Sequence, residues 1–296
     1  MDAGIRGRVL RLLVYGHVWL ACGAAAQTWL MQHLMGRDGW RVPVLAALAT
    51  FIGYAVMRTA RAGHPTMGQA PQLRWAAQHA DRLLAAAALA VAAAVVVAGD
   101  HLRVLALRCA PVALAVALYV VPARWTKGRT LGLRRVPLLK VFLIAACWAW
   151  VTVGLPATPG VNERPPQGTA GLFAMQMCFF MAIAMVFDLR DRDIDRGTVL
   201  TLPHLLGSRG TRTLAAALML CPAAALAALA FGTPAWSAGH PAAPGSTGLA
   251  VAALAYLPIA VLVARSTPAR SALHFGLLLD GALLLPPLVV ALAAAT

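Results

Sequence analysis

An apolar segment of this chain ends in the charged run Phe187-Asp188-Leu189-Arg190-Asp191-Arg192-Asp193-Ile194-Asp195-Arg196. The protein has only ten acidic residues, and four of them lie in this run. The i, i+3, i+7 spacing puts Asp188, Asp191 and Asp195 on one face of a continuing helix. Converging carboxylates without a neighbouring histidine or cysteine favour Mg²⁺, whose remaining coordination is commonly completed by substrate phosphates. The run therefore predicts a site for Mg²⁺ and phosphate at a helix end.

The composition is typical of a polytopic membrane protein. Of the 296 residues, 60% are hydrophobic and 12% are charged, whereas a soluble domain carries roughly 25% charged residues. Apolar stretches near the ~20 residues that cross a bilayer predict nine spans, at residues 9–32, 41–58, 82–99, 104–122, 137–156, 169–188, 212–232, 247–264 and 272–293. Residues 1–296 are therefore predicted to form a single integral-membrane domain, with no separate soluble domain.

The net charge of +15 does not indicate nucleic-acid binding. The basic residues lie in short loops between apolar stretches, where they set topology and contact anionic membrane lipid or phosphate. Twenty of the 25 Lys and Arg residues fall at the N-terminus or in the loops after the second, fourth, sixth and eighth stretches. The positive-inside rule then predicts a bacterial-type inner or plasma membrane protein. The same rule predicts that the N-terminus and the aspartate run are cytoplasmic and that the C-terminus lies outside.

Two charged side chains lie inside predicted spans. Lys140, near the start of the fifth span, either extends to the lipid headgroups or binds phosphate at a cavity mouth. Asp280 lies deep in the ninth span, where a charge costs ~2.5 kcal/mol or more unless it faces the bundle interior or has a partner. Asp280 is therefore a candidate buried polar site, and Arg108 in the fourth span is a candidate partner.

Further residues extend the pattern around the aspartate run. It continues to Gly197, and Thr201-Leu202-Pro203 and Leu206-Gly207 follow. Together these residues resemble the second aspartate-rich motif, D-x-x-D-x-x-x-D, of the UbiA prenyltransferase superfamily. Residues 119–156 also look like the fourth and fifth helices of that family, through Pro122, Arg134, Pro137, Lys140 and Trp148.

This resemblance implies a fold and a reaction. The fold is an all-α membrane protein in which nine transmembrane helices surround a central cavity. The reaction transfers a prenyl group from a polyprenyl diphosphate, bound with Mg²⁺, to an aromatic or lipid-like acceptor. Asp188, Asp191 and Asp195 would then be metal ligands.

The first aspartate-rich motif of that family has no counterpart here. Its expected place, at the end of the second helix, reads Tyr54-Ala55-Val56-Met57-Arg58-Thr59-Ala60-Arg61, and no acidic residue lies between Asp38 and Asp81. Guanidinium groups bind phosphate directly and bidentately, so the predicted diphosphate contacts are Arg58, Arg61 and Lys140. The sequence is compatible with an altered transferase site. It is equally compatible with a non-catalytic membrane protein that binds a phosphorylated lipid, or with a transporter.

The charge asymmetry predicts the outcome of fusion experiments. Alkaline phosphatase fused after Thr296 should be active in a bacterial host, because this enzyme folds only outside the cytoplasm. The same enzyme fused after Arg192 should be inactive, and a green fluorescent protein at that position should fluoresce. Activity normalised to the amount of fusion protein is the measurement, and the reverse pattern would place the aspartate run outside the cell.

Overall fold

The fold is helical throughout the part of the chain that the structure describes. A computed structural model describes residues 3–62, 71–120, 136, 138–158, 168–192, 200–231 and 246–294. In chain order the α-helices are α1 (Ala3–Tyr15), α2 (Val18–Leu34), α3 (Arg41–Ala62), α4 (Pro71–Gln78), α5 (Ala80–Ala98), α6 (Leu102–Val120), α7 (Leu139–Ala149), α8 (Thr169–Arg190), α9 (Leu202–Phe231), α10 (Ser246–Arg265) and α11 (Leu285–Ala294). Short turns of 3₁₀ helix occur at Gly99–His101 and Ala282–Leu284, and turns of π helix at Trp150–Gly154 and His274–Leu279.

Six helical segments of the described chain are long and apolar enough to cross a bilayer. A seventh is added if α1 and α2, which meet at an angle of 54°, form one bent span. The 40-residue segment Ala80–Tyr119 contains two of the predicted spans, whereas Leu139–Gly154 is a shorter apolar helix. The predicted all-α, multi-pass membrane protein is therefore confirmed, and the number of nine crossings stays a prediction.

Helix α8 is buried inside the bundle. It is apolar on every side, and Phe179, Met185, Val186 and Leu189 are at most 1% exposed. A helix that is hydrophobic all round is typically one that other helices surround. Helix α5 instead leaves apolar side chains such as Val96 exposed, as expected of a surface that faces lipid. The burial of α8 draws the charged residues at its C-terminal end into the protein.

Two segments that the hydropathy pattern assigned to loops contain helix. Helix α3 extends to Ala62, and the short helix α4 follows with Leu73 buried against the bundle. Helix α9 begins at Leu202 and is kinked at Gly207, which has φ 67° and ψ 173°, a conformation open to glycine because it lacks Cβ. The hydropathy pattern missed α4 because an eight-residue helix is too short to resemble a membrane span. It missed the start of α9 because the kink at Gly207 separates the first turns of that helix from the apolar run.

The last predicted span is irregular around Asp280. The π turn His274–Leu279 ends immediately before this residue, and the 3₁₀ turn Ala282–Leu284 begins two residues after it. Pro286 and Pro287 follow in the first turn of α11, where proline is tolerated because it removes no intrahelical hydrogen bond. Asp280 therefore lies in a short section of the span whose backbone departs from the α-helix on both sides.

Helix α2 supports this irregular section. Trp19 Nε1 donates a hydrogen bond to the Leu277 carbonyl over 3.0 Å, and Gln27 Nε2 donates to the Leu283 carbonyl over 2.6 Å. Side-chain donors of this kind satisfy backbone groups that irregular helical turns leave without regular partners in a membrane. The close approach requires Gly23, since a Cβ there would lie 2.9 Å from the Cβ of Leu283.

Replacing Gly23 should separate α2 from the last span. We expect Gly23→Ala to lower the free energy of unfolding by about 1–3 kcal/mol, as overpacking of a tight contact does. The matched control is Gly171→Ala on α8, where an added Cβ meets no atom within 4 Å and the substitution should be neutral or stabilising by up to about 1 kcal/mol. Thermal unfolding of both variants in the same detergent is the measurement, and equal melting temperatures would contradict the tight packing.

Candidate functional site

A cavity of about 480 Å³ lies between α3, α6, α7, α8 and the irregular section before α11. Most of its wall is apolar, and the aromatic residues on it include Tyr54, Trp148, Phe180 and Phe187. Within the described chain, the charged residues on this wall are three cations and three carboxylates: Arg58, Lys140, Arg190, Asp188, Asp191 and Asp280. The cavity thus combines an apolar interior with a set of charged groups whose formal charges cancel.

Asp188 is held in the cavity wall by an ion pair with Lys140. The residue lies three positions before Asp191, and both line the cavity. Helix α8 ends at Arg190, so the continuing helix that the spacing prediction assumed stops before Asp191. The Asp188 side chain is 1% exposed, and its Oδ1 lies 2.5 Å from the Lys140 Nζ. Lys140 is the second residue of α7, and its side chain is only 11% exposed. Of the two interpretations for Lys140, the structure favours the inward-facing one over extension to the lipid headgroups.

Asp191 is paired with Arg190 at the end of α8. The Arg190 Nε lies 2.7 Å from Oδ1 of Asp191, and its Nη2 donates to Oδ2 over 3.2 Å. Burial alone would raise the pKa of the Asp191 carboxyl, but the guanidinium of Arg190, with help from Lys140 and Arg58, holds that pKa below its usual value. Asp191 is therefore a carboxylate at neutral pH. An anion that binds Arg190 would displace Asp191 from this bidentate contact, and a cation that binds Asp191 would displace Arg190.

Arg190 is the cavity residue that sequence reasoning missed. Its guanidinium carbon lies 5.0 Å from the centre of the Phe187 ring and 5.3 Å from that of Phe275, within the range of cation–π attraction. No signal in the local spacing identifies this position, because Phe275 comes from a distant part of the chain.

Arg58 lies where the second helix of the predicted bundle would have carried an acidic motif. It lines the cavity from α3 and interacts electrostatically with Arg190, Asp191, Asp280 and Tyr54. A cation from α3 therefore lines the same cavity as Asp188 and Asp191. This arrangement brings Arg58 and Lys140, two of the three predicted diphosphate contacts, to the same cavity.

Asp280 faces this cavity from the last span. Its electrostatic partners are Arg190 and Arg58, and it also influences Tyr54. The suggested partner Arg108 is instead an exposed residue of α6 whose carbonyl accepts a hydrogen bond from Trp150 Nε1 over 2.8 Å. Asp280 is half-buried on the wall of the main cavity, and the cations that influence its charge come from α3 and α8.

Two of the predicted site residues fall partly or wholly outside the described residues. Asp195 is one of them, together with the rest of the run after Arg192, and the side chain of Arg61 is the other. Among the residues that are described, no group of three or more His, Cys, Asp or Glu side chains is arranged to hold a metal ion. The described part of the predicted metal site consists of two carboxylates, Asp188 and Asp191, each paired with a basic side chain.

Breaking the Lys140–Asp188 pair should destabilise the protein strongly. We expect Lys140→Met to lower the free energy of unfolding by about 3–5 kcal/mol, because it leaves a carboxylate buried without this cation. The double variant Lys140→Met/Asp188→Leu should be more stable than Lys140→Met alone. The matched control is Arg209→Met at an exposed position, with an effect within about 0.5 kcal/mol. Equal unfolding curves for Lys140→Met and Arg209→Met would contradict the buried ion pair.

Two solved structures share the fold of this chain. One is the apo structure of a UbiA homolog from Aeropyrum pernix K1, with a TM-score of 0.58 and 17% sequence identity over 93% of this chain and 96% of that chain. The other is digeranylgeranylglyceryl phosphate synthase in membranes, with a TM-score of 0.50 and 12% identity over 97% of this chain and 96% of that one. At these identities the likeness extends to the fold alone.

A protein-family model matches the part of the sequence that contains most of the residues lining the cavity. No curated protein matches the chain. The model of the UbiA prenyltransferase family matches residues 74–285, which include the aspartate run, Lys140 and Asp280. The match extends over more than half of the sequence, and the helical fold and multi-pass hydropathy pattern agree with it. The chain therefore belongs to the UbiA prenyltransferase family.

Proposed function

We propose that this protein transfers a prenyl group from a polyprenyl diphosphate to an acceptor within the membrane. The observation that carries the proposal is a single apolar cavity on which Arg58, Lys140 and Arg190 lie together with Asp188 and Asp191. A polyprenyl diphosphate has the same two parts, an apolar chain and a multiply charged head. Family membership supports this class of substrate.

The three cations are the proposed binding groups for the diphosphate. Guanidinium groups form short, bidentate, charge-assisted hydrogen bonds to phosphate, and an ammonium adds a compact positive charge. In the structure these groups are engaged with carboxylates, for example Lys140 with Asp188 and Arg190 with Asp191. A diphosphate would compete with the carboxylates for the cations, so its arrival would release oxygen ligands at the same place.

The released carboxylates would suit Mg²⁺. This ion is usually held by one or two carboxylates together with substrate phosphates, which matches the pair Asp188 and Asp191. Asp195, outside the described residues, would be the third protein ligand. Mg²⁺ bound there would neutralise negative charge on the leaving diphosphate.

The chain's own residues supply the rest of the proposed chemistry. Arg58, Lys140 and Arg190 would stabilise the charge that grows on the diphosphate as the carbon–oxygen bond breaks. The apolar wall excludes water, which protects the allylic cation from hydrolysis. Trp148 stacks on Phe180 at 4.7 Å on the same wall, and aromatic faces attract a cation.

A second candidate function is a non-catalytic member of the same fold that binds a phosphorylated lipid or moves it across the membrane. The observation that favours it is the internal charge balance of the cavity, in which Arg58 stands where the family pattern would have an acidic motif. Such a site could bind a phosphate headgroup without activating it. The two functions differ in whether diphosphate is released.

The Asp191→Ala variant tests the transferase. Purified protein in lipid nanodiscs is incubated with Mg²⁺, radiolabelled geranylgeranyl diphosphate and a membrane lipid extract, and both inorganic diphosphate and prenylated product are measured. We expect the wild type to release diphosphate and form product, and Asp191→Ala to lose at least about 100-fold in rate, as removal of a transition-state contact does.

Controls separate this result from loss of folding and from simple lipid binding. Asp100→Ala, an exposed acid outside the cavity, should keep the wild-type rate. Arg58→Gln should weaken binding of the labelled diphosphate. Full activity of Asp191→Ala would contradict the metal role, and binding without any diphosphate release by the wild type would favour the non-catalytic function.

A further inference from the structure

Asp280 lines the cavity, but the proposed binding of diphosphate assigns it no role. It faces the same cavity as the aspartate run but comes from a different element, the irregular section of the last span. A carboxylate repels phosphate, so its presence on this wall works against a diphosphate in direct contact with it. A charge at this depth in a membrane protein is costly unless it contacts a partner or a ligand.

The backbone on both sides of Asp280 is irregular and is held by hydrogen bonds from neighbouring helices. Short π-helical insertions occur frequently at functional sites, and here one ends directly before the carboxylate. Trp19 and Gln27 brace the carbonyl groups on either side of it. Gln27 is itself fixed by Gln176 of α8, whose Nε2 donates to Gln27 Oε1 over 2.9 Å. This is the kind of support that positions a functional group precisely.

The neighbours of Asp280 define the ligand group that it could take. Arg190 and Arg58 interact electrostatically with Asp280. The carboxylate therefore does not need a positively charged ligand to compensate it. The carboxyl oxygens of Asp280 can accept a hydrogen bond, and the surrounding wall is mainly apolar. The complementary group is a hydrogen-bond donor on an otherwise apolar molecule, which describes a phenol or an alcohol.

We propose that Asp280 binds the hydroxyl group of the prenyl acceptor and takes its proton when the new bond forms. This inference rests on the proposed transferase function. The bond from C1 of the prenyl chain to the diphosphate oxygen breaks, and its electron pair leaves with the diphosphate. The acceptor oxygen bonds to C1, and the hydroxyl proton passes to the Asp280 carboxylate. The acceptor is accordingly a neutral amphiphile with a free hydroxyl group.

Binding of a matched pair of ligands tests the subsite without turnover. The probes are 4-heptylphenol and its methyl ether, which differ in the hydroxyl donor, titrated into protein in nanodiscs by calorimetry. We expect the wild type to bind the phenol at least about tenfold more tightly, as loss of a hydrogen bond to a charged group predicts. Asp280→Leu should bind the two alike. Leu278→Ala, two residues away and facing outward with 50% exposure, should keep the preference.

Transfer by Asp280→Asn separates the hydroxyl contact from proton removal. The amide oxygen can still accept a hydrogen bond, but it is far too weakly basic to take the proton. We expect this variant to keep part of the preference for the phenol and to lose about 100-fold or more in the rate at which it prenylates 4-heptylphenol from geranylgeranyl diphosphate. Its affinity for inorganic diphosphate should be unchanged or higher, because a neighbouring negative charge is removed.

The possible failures point to different parts of the proposal. Equal affinity of the wild type for phenol and ether, persistence of the preference in Asp280→Leu, or a wild-type transfer rate in Asp280→Asn would each overturn the role of Asp280. Failure of the wild type to bind inorganic diphosphate would instead overturn the transferase function on which that role rests.

Discussion

Every charged group inside a membrane bundle needs a partner, and this requirement organises the cavity. Lys140 is paired with Asp188, Arg190 with Asp191, and Arg58 interacts with Asp280. The Lys140–Asp188 pair joins α7 to α8, and breaking a buried pair leaves an uncompensated charge at a cost of about 3–5 kcal/mol. The relative position of α7 and α8 is thus stabilised by two groups that line the cavity.

A cavity that compensates its own charges would bind an anion by exchange. Under the proposed function, a diphosphate would gain the cations only by displacing carboxylates, so its net affinity would be the difference between two sets of strong contacts, lowered further by the desolvation of both sets. A cation that occupies the displaced carboxylates would recover part of this loss. Such coupling would make the binding of anion and metal interdependent by reciprocity, as an expected consequence of the ion pairs at Lys140 and Arg190.

The sequence predicted most of the fold because the dominant signals are local. Apolar stretches identify spans, and Asp188 and Asp191, which the spacing rule grouped, line one cavity although α8 ends at Arg190. Helix α4 was missed because eight residues give no span signal. Arg190 was not among the predicted site residues, because its environment depends on Phe275, which is 85 positions away in the chain. Asp280 was predicted to lie inside the bundle, but the cations near it on α3 and α8 depend on the packing of helices that no spacing rule encodes.

The position of Arg58 explains how the cavity can lack one acidic motif and still suit an anionic ligand. A carboxylate cluster contacts phosphate only through bound metal, whereas a guanidinium contacts phosphate oxygens directly and carries its positive charge at any physiological pH. On α3 this charge also compensates Asp280, which an acidic residue at the same place would repel. Under the proposed function, the diphosphate contact on α3 and the hydroxyl contact on the last span would then lie on one cavity.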